Sequence, residues 1–187
     1  MGEQSAGLIG LKCVRHYRRM ANALSQSQIF FNQLAGLVVR PTLARLPFGD
    51  GPIAFNLLLG TAAQESGGKY LAQYPTGPAL GLLQIEPPTH QDLLTNYLAF
   101  RPDLDAALAS FAAPQPPRDM QLASNLAYAF AVARLIYHRA PAPLPTSSDP
   151  ATLGAYYKTH YNTAGGAATV DEFVRNFALC IGEPLNA

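Results

Sequence analysis

The stretch PIAFNLLLGTAAQESGG, residues 52 to 68, decides how the rest of the chain is read. Pro52 suits the first turn of a helix, where its missing N–H leaves no hydrogen bond unmade. Ile53, Phe55 and Leu57 to Leu59 supply the apolar positions, the pattern runs on through Gln64-Glu65-Ser66, and Gly67-Gly68 stops it. Glu65 is thereby expected near a helix C-terminus, directly before a glycine break.

Outward from this helix the chain reads as helical in both directions. Ser25 and Ser27 precede Ile29, Phe30, Leu34, Leu37 and Val38, an amphipathic pattern that Pro41 interrupts after Arg40, so a helical hairpin is expected to open the fold. Residues 69 to 87 hold Tyr70, Tyr74, Pro75, Gly77, Pro78 and Gly81, too many breakers for a helix, and read as a loop or short hairpin. Thr89 with Asp92 three residues later reads as a capping box for a helix through Tyr97 and Phe100, with a short helix expected after Pro102. Ala113 to Pro117 is a surface linker. From Arg118 to His138, Met120, Leu122, Leu126, Phe130, Ala133, Leu135 and Ile136 cover almost every face, as in a central buried helix. Residues 140 to 148 form a loop before a helix capped by Asp149, with Pro150 in its first turn and Tyr156 and Tyr157 expected half-buried. Thr169 caps a last helix, with Glu172 at the capping-box position.

The expected class is all-α, with at most a small hairpin, as a single compact helical domain over residues 1–187 with a cleft. Residues 1–50 are expected as a helical N-terminal extension packed on it, and 52–166 as the region that bears the motifs. At 187 residues the chain can bury a core without disulfide or metal staples. With 49% hydrophobic and 13% charged residues it is not a disordered tail. A formal charge of +1 gives no field that would gather nucleic acid, and Lys12, Arg15, Arg18 and Arg19 read as a solvated helix face. Cys13 and Cys180 show no ligand spacing and read as a reduced pair, with one long-range disulfide as the alternative. Leu8 to Leu11 is too short for a signal peptide and its positive charges follow the apolar part; no run approaches the ~20 residues of a membrane span.

Chemistry is sought among the carboxylates. His16, His90, His138 and His160 make no His-Glu-x-x-His pair, so neither metal nor cofactor is expected. Asp92, Asp149, Asp171 and Glu172 have capping explanations; Glu3, Asp50, Asp103, Asp105, Asp119 and Glu183 sit in polar or terminal stretches. Glu65 and Glu86 remain. By itself a glutamate at a helix end reads as solvated or ion-paired; held in a desolvated cleft, it would have the raised pKa that a glycosidase general acid needs.

Three short motifs favour the second reading. Gln64-Glu65-Ser66-Gly67, then Gly81-Leu82-Leu83-Gln84-Ile85 with Pro87, then Tyr161-Asn162-Thr163-Ala164-Gly165 resemble, in order, the Glu-Ser, Gly-Leu-Met-Gln and Ala-Tyr-Asn-Ala-Gly motifs of the soluble-type lytic transglycosylases. The resemblance covers roughly residues 52 to 166. It implies a goose-type lysozyme-like fold in which one glutamate, here Glu65, protonates the bond between N-acetylmuramic acid and N-acetylglucosamine. The same group then takes a proton from the muramoyl 6-hydroxyl as a 1,6-anhydro ring closes. It further implies that Ser66 stands beside the acid, that Gln84 lines the substrate groove, and that Tyr161, counted with Glu65 as catalytic, and Asn162 stand near the acid. The chain departs from the pattern at Gly67-Gly68, at His160 and at the inserted Thr163. Glu86 also departs, and reads either as a surface acid or as a substrate-site carboxylate that activates water, which leaves hydrolysis open. Tyr70, Tyr74 and Tyr97 could serve as sugar platforms in a chain without Trp.

The expected activity is peptidoglycan cleavage, with the glycan strands as partner and without nucleic acid or a membrane span. The alternatives are a hydrolytic muramidase and a lysozyme-like virion structural or binding protein without turnover. A cell-wall enzyme lacking an export signal must be carried or released to its substrate. That suits a phage-encoded protein made in the cytoplasm, associated with other virion proteins and acting on the periplasmic wall.

Overall fold

Ser25 opens the first helix of the computed structural model, which describes residues 24–48, 51–162 and 166–186. The Ser25 hydroxyl accepts from the Gln28 N–H at 3.1 Å and the Gln28 side chain accepts from the Ser25 N–H at 2.9 Å, a reciprocal cap that starts α1 (Gln26–Leu34). The expected interruption at Pro41 does not occur. The chain passes through a π-helical turn (Ala35–Val39) into α2 (Arg40–Leu43), and Pro41 falls in the first turn of that segment, where its missing N–H is tolerated. The basic run, Leu8 to Leu11 and Cys13 lie outside the described residues.

Next comes α3 (Pro52–Glu65), as the breakers at its two ends predict. Every residue from Ala54 to Ala63 is buried, the expected fate of a helix that is apolar all round. The following helices are α4 (Pro87–Asn96), a 3-10 turn (Leu98–Phe100), α5 (Pro102–Ala109), the single turn α6 (Gln121–Ser124) and α7 (Leu126–Arg139). Then come α8 (Pro150–Tyr157), which runs into a second π-helical turn (Lys158–Asn162), and α9 (Val170–Cys180). Between α3 and α4 the only pairing among the described residues is two isolated antiparallel bridges, Ala72 with Leu80 and Leu80 with Ile85. The chain is mostly helical, as the all-α reading expects.

Two sequence expectations fail on local detail. The helix after residue 86 starts directly behind Glu86, whose side chain makes no cap, with Pro87 in its first turn, so Thr89 and Asp92 are not its capping box; Asp92 instead accepts from Asn96 and pairs with Arg139 of α7. The span from Arg118 to His138 is not one helix. Asn125 adopts φ −128°, ψ 93° and caps α7 by accepting from the Tyr128 N–H at 3.1 Å. Its amide also donates to Phe111 O, and the buried Gln121 donates to Ala113 O and Pro116 O, so polar side chains that hydropathy treats as interruptions tie down the 113–117 linker. The linker itself is exposed, as expected. The caps at Asp149 and Thr169 form as read.

Helix α3 is covered by α7, α8, α9 and the π-helical turn after α1. The tightest junction is made by Phe173 of α9, fully buried between two glycines. A Cβ added at Gly60 of α3 would lie 2.4 Å from its ring, and one at Gly154 of α8 would lie 3.1 Å from it. Polar ties reinforce the apolar ones. Buried Asn56 exchanges hydrogen bonds with Leu185 N and O at 2.8 and 2.9 Å, and Thr61 meets the Tyr137 hydroxyl at 2.7 Å.

Because the Phe173 ring has no room to retreat, Gly60→Ala is expected to cost about 1–3 kcal/mol by overpacking, outweighing its gain in helix propensity. At exposed Gly36 nothing lies within 4 Å of an added Cβ, so Gly36→Ala should be neutral or stabilising by up to about 1 kcal/mol. Urea unfolding of the two variants beside the wild type reads both.

Candidate active site

Glu65 is the last residue of α3, and the backbone around it is shaped by glycine. Gly67 and Gly68 take φ of 57° and 74°, conformations that let the chain reverse after Ser66. Ser66 is buried, and its hydroxyl donates to Leu82 O at 2.8 Å while accepting the Gly68 N–H at 3.1 Å. Ser66, which the resemblance sets beside the acid as a residue of the substrate site, makes a structural contact: it ties the end of α3 to the turn that carries the second motif. Gln64 points the other way, accepting from Asn176 of α9 at 2.9 Å.

That turn is closed by Leu80 and Ile85, each of whose N–H groups donates to the other's carbonyl at 3.0 Å. Gly81 takes φ 75°, and a Cβ there would lie 1.9 Å from Leu122 O, so only glycine lets the turn approach α6. Gln84 sits at φ 46°, and its side-chain amide donates to Gly81 O at 2.7 Å.

The third contribution comes from the end of α8. The Tyr157 hydroxyl donates to Glu65 Oε1 at 2.7 Å, and the Tyr161 hydroxyl donates to Leu83 O at 2.8 Å. The two rings are four residues apart and stack at 5.9 Å, with Tyr161 also 5.3 Å from the Tyr137 ring. Sequence reasoning gave the place beside the acid to Tyr161; the acid's partner is Tyr157, which is buried rather than half-buried. Tyr161 braces the Gln84 turn instead. The four-residue spacing of 157 and 161 on one helical face was the available signal.

A cavity of about 640 Å3 opens beside Glu65, lined also by Gln84, Glu86, Tyr161 and Asn162. Five of the six candidate residues therefore meet at one cavity, and Ser66 stands behind it. Gln73, Thr89 and Ile136, which no motif marked, complete the wall. Tyr70 and Tyr74 stack on each other with centroids 5.8 Å apart at its rim, while Tyr97 is buried elsewhere with its hydroxyl 2.9 Å from His138 Nδ1 and offers no platform. Of the third motif, Thr163, Ala164 and Gly165 lie outside the described residues. Among the described residues no group of three His, Cys, Asp or Glu side chains could hold a metal ion, and no helix is long and apolar enough to cross a membrane.

The electrostatics follow from burial. Desolvation pushes Glu65 up from 4.5 to about 7, against the Tyr157 hydrogen bond, which lowers it. Burial, with the Glu65 charge next, drives Tyr161 well above the usual phenol value and raises Tyr157; burial drives Tyr137 well up too, against the Thr61 hydrogen bond, with the Glu65 charge adding to the rise. All three phenols stay protonated, so Tyr157 keeps the proton that it donates to the carboxyl. Glu65 Oε2 makes no hydrogen bond among the described residues. A carboxyl titrating near 7, with one oxygen tethered and the other uncommitted beside a cavity, can both deliver and retrieve a proton at neutral pH.

Folding raises the Glu65 pKa, so its contribution to stability is complete below 4.5 and is lost as pH rises through about 7. Glu65→Gln should therefore gain on the wild type by up to about 3 kcal/mol between acid and alkaline conditions. Urea midpoints of both proteins at about pH 4 and about pH 8.5 check this; a constant difference would mean that Glu65 titrates normally.

Comparison of the chain with protein-family models, with curated proteins and with solved structures finds no match.

Proposed function

We propose that this chain has a lysozyme-like fold and cleaves peptidoglycan glycan strands as a lytic transglycosylase, with Glu65 as the single acid and base. The observation that carries the proposal is the Glu65 carboxyl itself: buried enough to titrate near 7, held through one oxygen by Tyr157, and open to a cavity walled by the three motif segments.

In the first step protonated Glu65 gives its proton to the glycosidic oxygen, and the bond from that oxygen to the muramoyl anomeric carbon breaks. The carboxylate left behind accepts the proton of the muramoyl 6-hydroxyl while that oxygen bonds to the anomeric carbon, which closes the anhydro ring and restores the acid. No water enters and no second carboxylate is consumed. The Tyr157 hydroxyl serves both halves, since it can donate to Oε1 whether Glu65 is protonated or not, and its bond strengthens when the carboxylate forms. Gln84, Asn162 and the Tyr70–Tyr74 pair are the groups offered to the sugars.

Hydrolysis is the second reading, favoured by one observation: Glu86, a second carboxylate, is exposed on the same cavity wall. Mass spectrometry of purified peptidoglycan incubated with wild type and with Glu65→Gln separates the two. Anhydro-muropeptides from wild type alone are the expected result, whereas muropeptides with reducing muramic ends would make the protein a muramidase. Release of nothing, where a control enzyme works, would reduce the chain to a lysozyme-like binding or structural protein. Because the first step needs the protonated acid, turnover is expected to fall as pH rises past about 7.

A further inference from the structure

We propose that a second cavity, separated from the Glu65 cavity by the first turn of α4, binds the carboxylate end of a short peptide through His90 and Arg118. Its volume is about 480 Å3; Pro87, Pro88 and Leu94 give it an apolar side, and His90, Arg118 and Asp119 a polar one. Glu86, at the head of α4, and Thr89 line the Glu65 cavity, so a single helical turn divides the two.

The fixed donor is His90. Its side chain is 2% exposed and spends Nε2 on the Tyr128 hydroxyl of α7 at 2.8 Å. Tyr128 is fully buried, and that nitrogen is the one partner of its hydroxyl among the described residues, so the phenol gives its proton to Nε2. A neutral imidazole that accepts at Nε2 carries its own proton at Nδ1. Burial lowers the ring's pKa and so holds it neutral, with Asp119 working against that and Arg118 with it. Nδ1 makes no hydrogen bond among the described residues and is not sealed from solvent, so the small part of His90 that stays open includes an N–H donor at the cavity.

The charge is Arg118. Its guanidinium makes no hydrogen bond or ion pair among the described residues, whereas its neighbour Asp119 already accepts the Met120 N–H at 2.9 Å. A guanidinium and an imidazole N–H on one cavity select a negatively charged acceptor, which a carboxylate supplies and a sugar hydroxyl does not. Asp119 repels a bare anion, but it can accept the amide N–H that precedes the terminal carboxylate of a peptide. The apolar side suits a small side chain such as that of alanine. Glycan strands of the cell wall carry such a peptide on the muramoyl unit, and it ends in D-alanine; this assignment rests on the transglycosylase reading. With a muramoyl unit at Glu65 the peptide has to pass one helix, about 10–12 Å across, a span that about four extended residues cover.

Titration of nitrogen-15-labelled protein with acetyl-D-Ala-D-Ala tests the site. The expected result is a saturable shift of the His90 Nδ1 and Arg118 Nε signals, absent with the C-terminal amide of the same peptide. Arg118 is exposed, so Arg118→Ala spares the core, and it should weaken binding about tenfold, the worth of one charge-assisted hydrogen bond. Equal response to acid and amide, or affinity unmoved by Arg118→Ala, overturns the carboxylate site. Acetyl-L-Ala-L-Ala separates the sources: tighter binding of the D form supports the cell-wall peptide, and equal or tighter binding of the L form overturns that assignment in favour of a protein C-terminus. In turnover, KM should be lower for peptide-bearing strands than for strands stripped of peptide, and Arg118→Ala should lose that difference with little change in kcat. Equal KM values in an active wild type also overturn the assignment to the cell-wall peptide. A wild-type protein that releases nothing from either strand sinks the transglycosylase reading and leaves the peptide titration standing.

Discussion

The hydrogen bond from Tyr157 to Glu65 joins the ends of two helices that are 92 positions apart in the chain, and it forms only because both ends are held out of water. Helix α3 cannot present a surface to solvent, since the run from Ala54 to Ala63 is buried on every side. Its last turn is therefore dragged into the interior together with a carboxyl group. An isolated charge there would be expensive; a carboxyl that shares a phenol's proton and can stay protonated is not. The high pKa of Glu65 and the abundance of tyrosine around it are two sides of one constraint.

The rest of the molecule brings three separate pieces of chain to that helix end. Ser66 reaches forward to Leu82 and so fixes the turn of residues 80–85; Tyr161 reaches back to Leu83 and fixes the same turn from the opposite side. The turn is clamped between the two, and Gln84 and Glu86 leave it toward the cavity. Phe173, wedged against Gly60 and Gly154, sets how closely α3, α8 and α9 approach, and thereby the distance over which Tyr157 must reach.

Much of this was legible in the residues. Breakers fixed the limits of α3, the caps at Ser25, Asp149 and Thr169 form as their spacing implies, and Glu65, Gln84, Glu86, Tyr161 and Asn162 meet at one cavity. What was not legible depends on tertiary partners. Tyr157 and Tyr161 are indistinguishable as phenols on one helical face, and only the placement of Leu83 and Glu65 decides which serves which. Asn125 breaks a run that reads as one helix because its side chain finds Phe111 O and the Tyr128 N–H at once. Pro41 fails to break a helix because it falls in the first turn of α2, directly after a π-helical turn. Each miss is a polar or backbone group whose partner lies elsewhere in the chain, which periodicity cannot represent.

The wedge at Phe173 also orders events in time. On the ribosome α3 emerges more than a hundred residues before α9, and Asn56 must wait longer still for its partner at Leu185. Until those late segments arrive, the side of α3 that packs on α9 lacks its cover. A nascent chain therefore carries every motif of the site long before α3 is enclosed on all its sides, the state in which burial raises the Glu65 pKa.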